Sequence, residues 1–179
     1  LFIDCSGFFG WARDLMGIEN LSIALYEDKS LIVDMFDFRT DFTLKVIKKA
    51  VEEIDIDAGF FSEDMAYNKG SLLSPKFFKE LMTPRYKKIT ELLHKHGIDI
   101  NFVDCDGNID ELLPLWLEVG INGMFPCEVA CGSDPVKYRK LYGKNVLLMG
   151  GINKIELAKG KKEIENEVSR VSDTIKTGG

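Results

Sequence analysis

Acidic side chains that follow short apolar runs are the residues of this chain best suited to chemistry. Five of them directly follow runs with the length of buried strands: Glu63, Asp64, Asp104, Asp106 and Glu128. Carboxylates that share a pocket raise one another's pKa, and they can bind a cation or act as general acids and bases. We therefore predict catalytic roles for Glu63, Asp64 and Asp106, and metal-ligand roles for Asp104 and Asp106.

Polar and glycine residues beside these carboxylates are predicted to bind the substrate. Tyr67 and Asn108 would orient a ligand by hydrogen bonds, and Glu128 would line the same pocket. The Gly150-Gly151 pair could let the backbone approach a ligand closely, or it could form only a tight turn. Both interpretations of the glycine pair stay open, because the chain has no Walker or Rossmann fingerprint.

Periodicity and capping signals predict the elements that position these residues. Gly97, Gly120 and Gly143 are 23 residues apart, and each ends a helical pattern just before an apolar run. This rhythm is typical of consecutive β/α units whose parallel strands are joined by helices. After an apolar first run at 1–9, we predict strands at 58–61, 98–103, 121–125 and 145–149, and helices at 30–54, 75–96 (kinked at Pro84), 108–119, 135–142 and 161–176.

Parallel strands end at one edge of a sheet, so the predicted site residues should converge there. About five strands fit either an open, doubly wound sheet or most of an eight-stranded barrel, and the residue pattern does not choose between them. No linker or charge block divides the chain, which predicts a single domain at 1–179. Trp11, Trp116 and the phenylalanines of 35–42 and 77–78 are expected in the core.

The composition argues against several classes of function. The net charge of -6 and the pI of about 5.0 disfavour nucleic acid and a polybasic membrane contact. No apolar run approaches the roughly 20 residues that cross a bilayer. The four cysteines are scattered, which is typical of reduced thiols and predicts a cytoplasmic location. Cys127 and Cys131 form only a weak C-x3-C metal signal, and His94 and His96 are expected at the end opposite the site.

Several short blocks, taken in order, resemble the uroporphyrinogen decarboxylase superfamily. The blocks are Ser62-Glu63-Asp64-Met65-Ala66-Tyr67, Leu73-Ser74-Pro75, Asp104-Cys105-Asp106-Gly107-Asn108, Gly120-Ile121-Asn122-Gly123, Pro126-Cys127-Glu128 and Gly150-Gly151-Ile152. The resemblance implies a TIM (β/α)8 barrel, with about five of its eight β/α units in this chain. It also implies that the domain at 1–179 is incomplete at both ends and belongs to a longer protein.

The resemblance implies an enzyme of one of two kinds. The favoured kind is a methyltransferase that passes a methyl group between a small methylated substrate and a thiol or a corrinoid held by a partner protein. One alternative is a decarboxylase, a lyase of porphyrin biosynthesis with a tetrapyrrole substrate. Lys69 is the chief basic residue expected near the loops, which disfavours a substrate with many carboxylates. A catalytically silent barrel that binds a tetrapyrrole or a corrinoid protein is a further alternative, and a homodimer is an additional expectation.

The resemblance also bears on cofactors. Methyltransferases of the superfamily carry His-x-Cys-Gly where this chain has Asp104-Cys105-Asp106-Gly107, so aspartates replace both zinc ligands. Aspartate oxygens suit harder divalent metals than a thiolate does. Zinc is therefore not favoured, and another divalent metal on Asp104 and Asp106 is the remaining expectation.

Overall fold

A parallel β-sheet forms the centre of the computed structural model, which describes residues 1–178. Its strands are β1 (Phe2–Asp4), β2 (Ala58–Ser62), β5 (Ile100–Asp104), β6 (Gly123–Phe125) and β7 (Leu147–Leu148). A separate hairpin of two short strands, β3 (Ala66–Tyr67) and β4 (Gly70–Ser71), follows β2. All four predicted internal strands are therefore present, although β6 and β7 are shorter than expected.

Strand order identifies the architecture. Neighbours in the sheet follow their order along the chain, β1-β2-β5-β6-β7, and every adjacent pair is parallel. A doubly wound sheet reverses its order at a switch point, whereas a barrel adds each strand beside the one before it. The sheet is therefore part of a TIM barrel, as the resemblance implied. Within residues 1–178 the edge strands β1 and β7 each pair on one side only.

Helices join the strands of the sheet. They are α1 (Phe9–Met16), α2 (Ile18–Glu27), α3 (Lys29–Glu53), α4 (Pro75–Phe77), α5 (Thr83–Lys95), α6 (Leu113–Leu117), α7 (Pro135–Tyr142), α8 (Lys154–Leu157) and α9 (Lys161–Thr177). The helices predicted at 30–54, 135–142 and 161–176 are confirmed to within one residue at each end. In the part of the chain that the structure describes, none of them has the length and apolar character needed to cross a membrane.

The helix predicted at 75–96 is interrupted just before Pro84. A π-helical turn, Phe78–Met82, separates the short α4 from α5. Pro84 has no N–H to donate to the carbonyl of Glu80, and in a regular helix its ring would clash with that carbonyl. The π-helical turn is wider than an α-helical turn and so avoids the clash. The kink predicted at Pro84 is therefore present as this turn.

The helix predicted at 108–119 is wrong over its first residues, because only the short α6 forms there. Asn108 Oδ1 accepts a hydrogen bond from the N–H of Asp110 at 3.1 Å, which closes a turn and not a helical first turn. The sequence also did not predict α1, α2 or the β3–β4 hairpin. These elements are short, with at most ten residues each, so a helical or strand period has little length in which to show.

Aromatic rings fill the centre of the core. The ring of Tyr86 on α5 lies 5.0 to 5.7 Å from the rings of Phe8, Phe61 and Phe78, measured between centroids. Trp116 is fully buried beside Phe78, as predicted. Burying a large apolar side chain contributes roughly 1.5–3 kcal/mol. This cluster therefore holds α5 firmly against β2 and the start of α1.

Two phenylalanines on α3 that were predicted to lie in the core are on the outer face of the helix. Phe38 and Phe42 are 66% and 52% exposed, although both were expected inside. The helix instead buries Ile32, Phe36 and Ile47. Because α3 carries two apolar stripes, helical spacing alone could not tell which of them faces the core.

Candidate active site

Loops at the carboxyl ends of four strands are tied to one another by hydrogen bonds. After β2, Asp64 Oδ1 accepts from the backbone N–H of Asp106, which follows β5, at 3.1 Å. The next N–H in that loop, of Gly107, donates to Oε2 of Glu128 after β6 at 2.9 Å. Lys154 after β7 donates to the other Glu128 oxygen at 2.8 Å. The predicted convergence of these loops is therefore seen.

Glu63 lies inside the protein, with 1% of its surface exposed. Its carboxylate accepts hydrogen bonds from the backbone N–H groups of Phe8, Phe9 and Gly10 at 2.8 to 3.1 Å, and from the hydroxyl of Tyr86. Burial raises its pKa to about 6, while the Tyr86 hydroxyl and the three amides oppose that rise. Glu63 thus caps the start of α1 from within the core, and the catalytic role suggested by its sequence position stays a prediction.

Asp104 and Asp106 differ from the other acids of the site in their lack of protein partners. Over residues 1–178, neither carboxylate has a hydrogen bond or an ion pair. The pKa of Asp104 is raised, first by burial and then by the negative charges of Asp64 and Asp106. The pKa of Asp106 is also raised, by burial and by Glu128 and Asp64, against a smaller opposing effect of Lys154. These two carboxylates are the groups free to engage a ligand.

Two cavities flank the end of β5. One has a volume of about 230 Å³, and its lining includes Asp104, Arg13 and Arg39. The other, about 80 Å³, is lined in part by Asp106 and Lys154. Successive residues of an extended segment point to opposite sides, so residues 104 and 106 would share a side in an unbroken strand. Because β5 ends at Asp104, the chain turns and Asp106 reaches the second cavity.

A larger cavity of about 650 Å³ lies at the opposite end of the sheet. His94 and Asp99 line it, beside the amino end of β5, and these two side chains are hydrogen-bonded to each other. Barrel enzymes place their chemistry at the carboxyl ends of the strands, where the loops can vary without disturbing the barrel. We therefore assign the active site to the acidic end, despite the smaller cavities there.

Tyr67 and Asn108 lie together above the end of β5, where the β3–β4 hairpin covers the loop. The carbonyl of Tyr67 accepts a hydrogen bond from the N–H of Asn108 at 2.8 Å. The Tyr67 side chain is 48% exposed, and its hydroxyl has no partner among the described residues. Tyr67 can therefore contact a ligand, whereas the Asn108 side chain already closes the turn to Asp110.

Glycines allow the loops to pack closely at this end. A Cβ on Gly150 would lie 2.1 Å from the carbonyl oxygen of Pro126, and one on Gly151 would lie 2.3 Å from the ring of Pro135. The N–H of Gly151 donates to that same Pro126 carbonyl at 2.9 Å. Both glycines have positive φ. The pair therefore forms a tight, closely packed turn, and its predicted contact with substrate stays untested.

Comparison with known proteins decides the family. The profile of the uroporphyrinogen decarboxylase (URO-D) family matches residues 4–179. The chain belongs to the uroporphyrinogen decarboxylase family. A methyltransferase from Methanosarcina mazei is similar in fold, with a TM-score of 0.63 at 18% sequence identity, and the match covers 93% of this chain and 49% of that one. The chain thus spans about half the length of that methyltransferase, and no curated protein matches it.

The donor atoms in this URO-D family site do not fit a zinc–thiolate centre. No group of three or more His, Cys, Asp or Glu side chains within residues 1–178 is arranged to hold a metal ion. Burial raises the pKa of Cys5, Cys105 and Cys127 to about 12, so these thiols stay protonated at neutral pH. We therefore assign no chemical step to a metal. Metal binding by Asp104 and Asp106 stays a prediction.

Basic residues at the URO-D family site were missed by the sequence reasoning, which expected mainly Lys69. Arg13 donates to the carbonyl of Asp64 at 2.8 Å, and Arg39 lines the 230 Å³ cavity. Lys154 pairs with Glu128 and holds the pKa of that carboxyl below its usual range. Arg13 and Arg39 follow the end of β1 by many residues, so their place at the site depends on how α1 and α3 pack. The only feature of the local sequence that could have indicated a site near β1 is the run of small and polar residues that follows this strand.

Proposed function

We propose that this URO-D family protein transfers a methyl group between a small methylated substrate and a thiol or a corrinoid carried by a partner protein. The observation that carries the proposal is the pair of unpartnered carboxylates, Asp104 and Asp106, at the end of β5. The proposal is also supported by the resemblance, which implies that methyltransferases of the superfamily carry their zinc ligands in the loop that matches Asp104 and Asp106. The fold that the chain shares with a methyltransferase is consistent with that assignment.

Raised pKa values suit Asp104 and Asp106 to proton transfer. When a methyl group leaves oxygen or nitrogen, the heteroatom keeps the bonding electron pair and needs a proton. A carboxyl group whose pKa lies above its usual range carries a proton over a wider pH range, and general acid catalysis typically contributes 10²- to 10⁴-fold. Asp106 is the proton donor in this scheme, and burial and the charges of Glu128 and Asp64 disfavour its ionised form. Asp104 would then hold the substrate at the end of β5, where the two cavities lined by Asp104 and Asp106 flank the strand.

The charge of the site favours a small substrate over a tetrapyrrole with many carboxylates. Asp4, Asp64 and Asp104 line the 230 Å³ cavity, and Asp106 and Glu128 lie next to it. Like charges within a few ångströms cost free energy, and burial increases that cost. A polycarboxylate would meet these charges directly, whereas a neutral or singly charged methylated compound would not.

The proposal is tested by assaying the protein for methyl transfer from a panel of O-, N- and S-methylated compounds to cob(I)alamin or to a thiol. Asp106→Asn should lower the rate at least about 100-fold if the residue donates a proton. Asp99→Asn is a matched control, because it makes the same chemical change directly before the opposite end of β5. Its rate should equal that of the unaltered protein.

A parallel assay with uroporphyrinogen separates the two chemistries of the family. Loss of carboxyl groups from uroporphyrinogen, without methyl transfer to either carrier, would replace our proposal by the decarboxylase function. Neither activity, combined with tight binding of a tetrapyrrole or of a corrinoid protein, would identify a silent binding barrel. Equal methyl-transfer rates for the Asp106→Asn protein and the unaltered protein would remove this residue from the mechanism.

A further inference from the structure

Arg39 on α3 is held rigidly at the wall of the 230 Å³ cavity. Its Nε donates to the hydroxyl of Ser6 at 2.5 Å. The guanidinium carbon lies 5.1 Å from the centre of the Trp11 ring and 5.9 Å from that of Phe42. A hydrogen bond at Nε and two nearby aromatic rings restrict the orientation of the guanidinium.

The remaining edge of this guanidinium has no protein acceptor. Over residues 1–178, Nη1 and Nη2 of Arg39 make no hydrogen bond, and no carboxylate lies within 4 Å. By contrast, Arg170 on α9 pairs with both Asp134 and Glu167. Burial lowers the pKa of Arg39, as expected for a cation whose charge is only partly offset by the distant Asp4. Arg39 therefore lines the cavity with terminal N–H donors that have no partner among the described residues.

We propose that Arg39 binds a single carboxylate of a small ligand in this cavity, through paired hydrogen bonds from its terminal nitrogens. The planar fork of arginine matches the two oxygens of a carboxylate, and such bidentate pairs add both affinity and orientation. This proposal deepens the methyl-transfer function and rests on it for the statement that the ligand is the substrate. It makes Arg39 a residue that selects the substrate.

Negative charges in the lining of the cavity limit the ligand to one carboxylate. Asp4, Asp64 and Asp104 face the same space as Arg39. The other arginine there, Arg13, is already engaged with the carbonyl of Asp64 and lies 3.5 Å from Asp14. One free guanidinium can therefore neutralise one carboxylate of the ligand. A second carboxylate on the ligand would lie among uncompensated negative charges.

Ligand-observed NMR titrations with three probes test the proposal without requiring turnover. The probes are propionate, propylammonium as its counterpart of reversed charge, and citrate as a polycarboxylate. Propionate should bind saturably and more tightly than either other probe. Arg39→Lys, which keeps the charge but loses the fork, should weaken propionate binding at least about tenfold, and Arg39→Gln should abolish it. Lys48→Gln, an exposed change of the same charge on α3, should bind propionate as the unaltered protein does.

Two kinds of result would overturn the proposal. Equal propionate affinity in the folded Arg39→Gln and unaltered proteins would show that the carboxylate lies elsewhere. Absence of saturable propionate binding by the unaltered protein, or tighter binding of citrate, would show that the cavity does not select one carboxylate. Circular dichroism of each variant verifies that it is folded. Propionate binding without any methyl transfer would leave the Arg39 site standing and refute only the proposed reaction.

Discussion

Replacing Glu63 by glutamine tests the role that the structure gives this buried residue. The carboxylate accepts four hydrogen bonds, two at each oxygen once the Tyr86 hydroxyl is included. In Glu63→Gln, one oxygen becomes an NH₂ group. At the Oε1 position this group faces the N–H of Phe8 and the hydroxyl of Tyr86, and the hydroxyl can turn to accept from it. A hydrogen bond to a charged group contributes about 1.5–3 kcal/mol, so losing the one from Phe8 should lower the free energy of unfolding by about that amount at neutral pH.

The pH dependence of this effect has a definite sign. Burial raises the pKa of Glu63 to about 6 from its ordinary 4.5. Between these two pH values, the Glu63 carboxyl is therefore protonated in a larger fraction of folded than of unfolded molecules. The resulting extra stability, about 2 kcal/mol, is fully present below pH 4.5 and is lost as the pH rises through about 6. The difference in stability between the unaltered protein and Glu63→Gln should therefore grow by about 2 kcal/mol on acidification from pH 7 to pH 4.

Urea denaturation followed by circular dichroism at several pH values measures this difference. The two proteins share every other titrating group, so the comparison isolates position 63 as far as distant sites are additive. Glu118→Gln, an exposed change of the same chemistry, should alter stability by less than about 0.5 kcal/mol at any pH. A difference that shrinks on acidification would refute the reasoning, because it would mean that the three amides and Tyr86 outweigh burial and lower the pKa.

Three further predictions concern the loops of the site. Gly107→Ala should destabilise the protein by about 2–4 kcal/mol in urea denaturation, since its Cβ would lie 2.8 Å from the backbone of the β3–β4 hairpin at a φ of 89°. Gly97→Ala has positive φ but open space, and should cost only about 1–2 kcal/mol. Lys154→Gln should raise the pKa of Glu128 toward its usual value in a carboxyl NMR titration; an unchanged pKa would contradict the ion pair. Mass spectrometry after brief maleimide treatment should find Cys131 labelled before the three buried thiols, and equal labelling of all four would show that the core opens readily.

Local signals predicted the fold well where they were strong. Asp134 and Gly143 set the two ends of α7 correctly, and Asp134 Oδ1 accepts from the N–H of Val136 at 2.9 Å. Strand order, which distinguishes a barrel from a doubly wound sheet, did not follow from residue patterns because pairing is a long-range property. The exposure of Phe38 and Phe42 was missed for the same reason, since burial depends on which neighbour a helix meets.

The site was predictable in outline but not in the assignment of roles. Placing carboxylates after strands correctly predicted that Asp64, Asp106 and Glu128 would meet. The sequence could not separate Glu63, which is enclosed by donors, from Asp104, which has none. That distinction depends on where the start of α1 packs, more than 50 residues away along the chain. Arg39 escaped notice because only the packing of α3 brings it to the cavity.

Backbone strain supplies an independent reason to place function at the acidic end. Over residues 1–178, three non-glycine residues have positive φ: Ser6 at 64°, Asp64 at 45° and Cys127 at 53°. Each stands two residues after the last residue of a strand, β1, β2 and β6 respectively. A left-handed conformation costs such residues roughly 1–2 kcal/mol, and strain of this kind persists where surrounding structure enforces it, often at functional sites.

The strained turns also explain how the site is assembled. Each turn bends the chain sharply at the rim of the sheet, so that the following loop crosses toward its neighbour instead of leaving along the strand direction. Asp64 can then accept from the N–H of Asp106, and the hydroxyl of Ser6 can accept from Arg39. The opposite end holds the larger cavity but none of these three turns. Cavity volume alone would therefore select the opposite end, whereas strain, unpartnered carboxylates and an unpartnered guanidinium all select the acidic end.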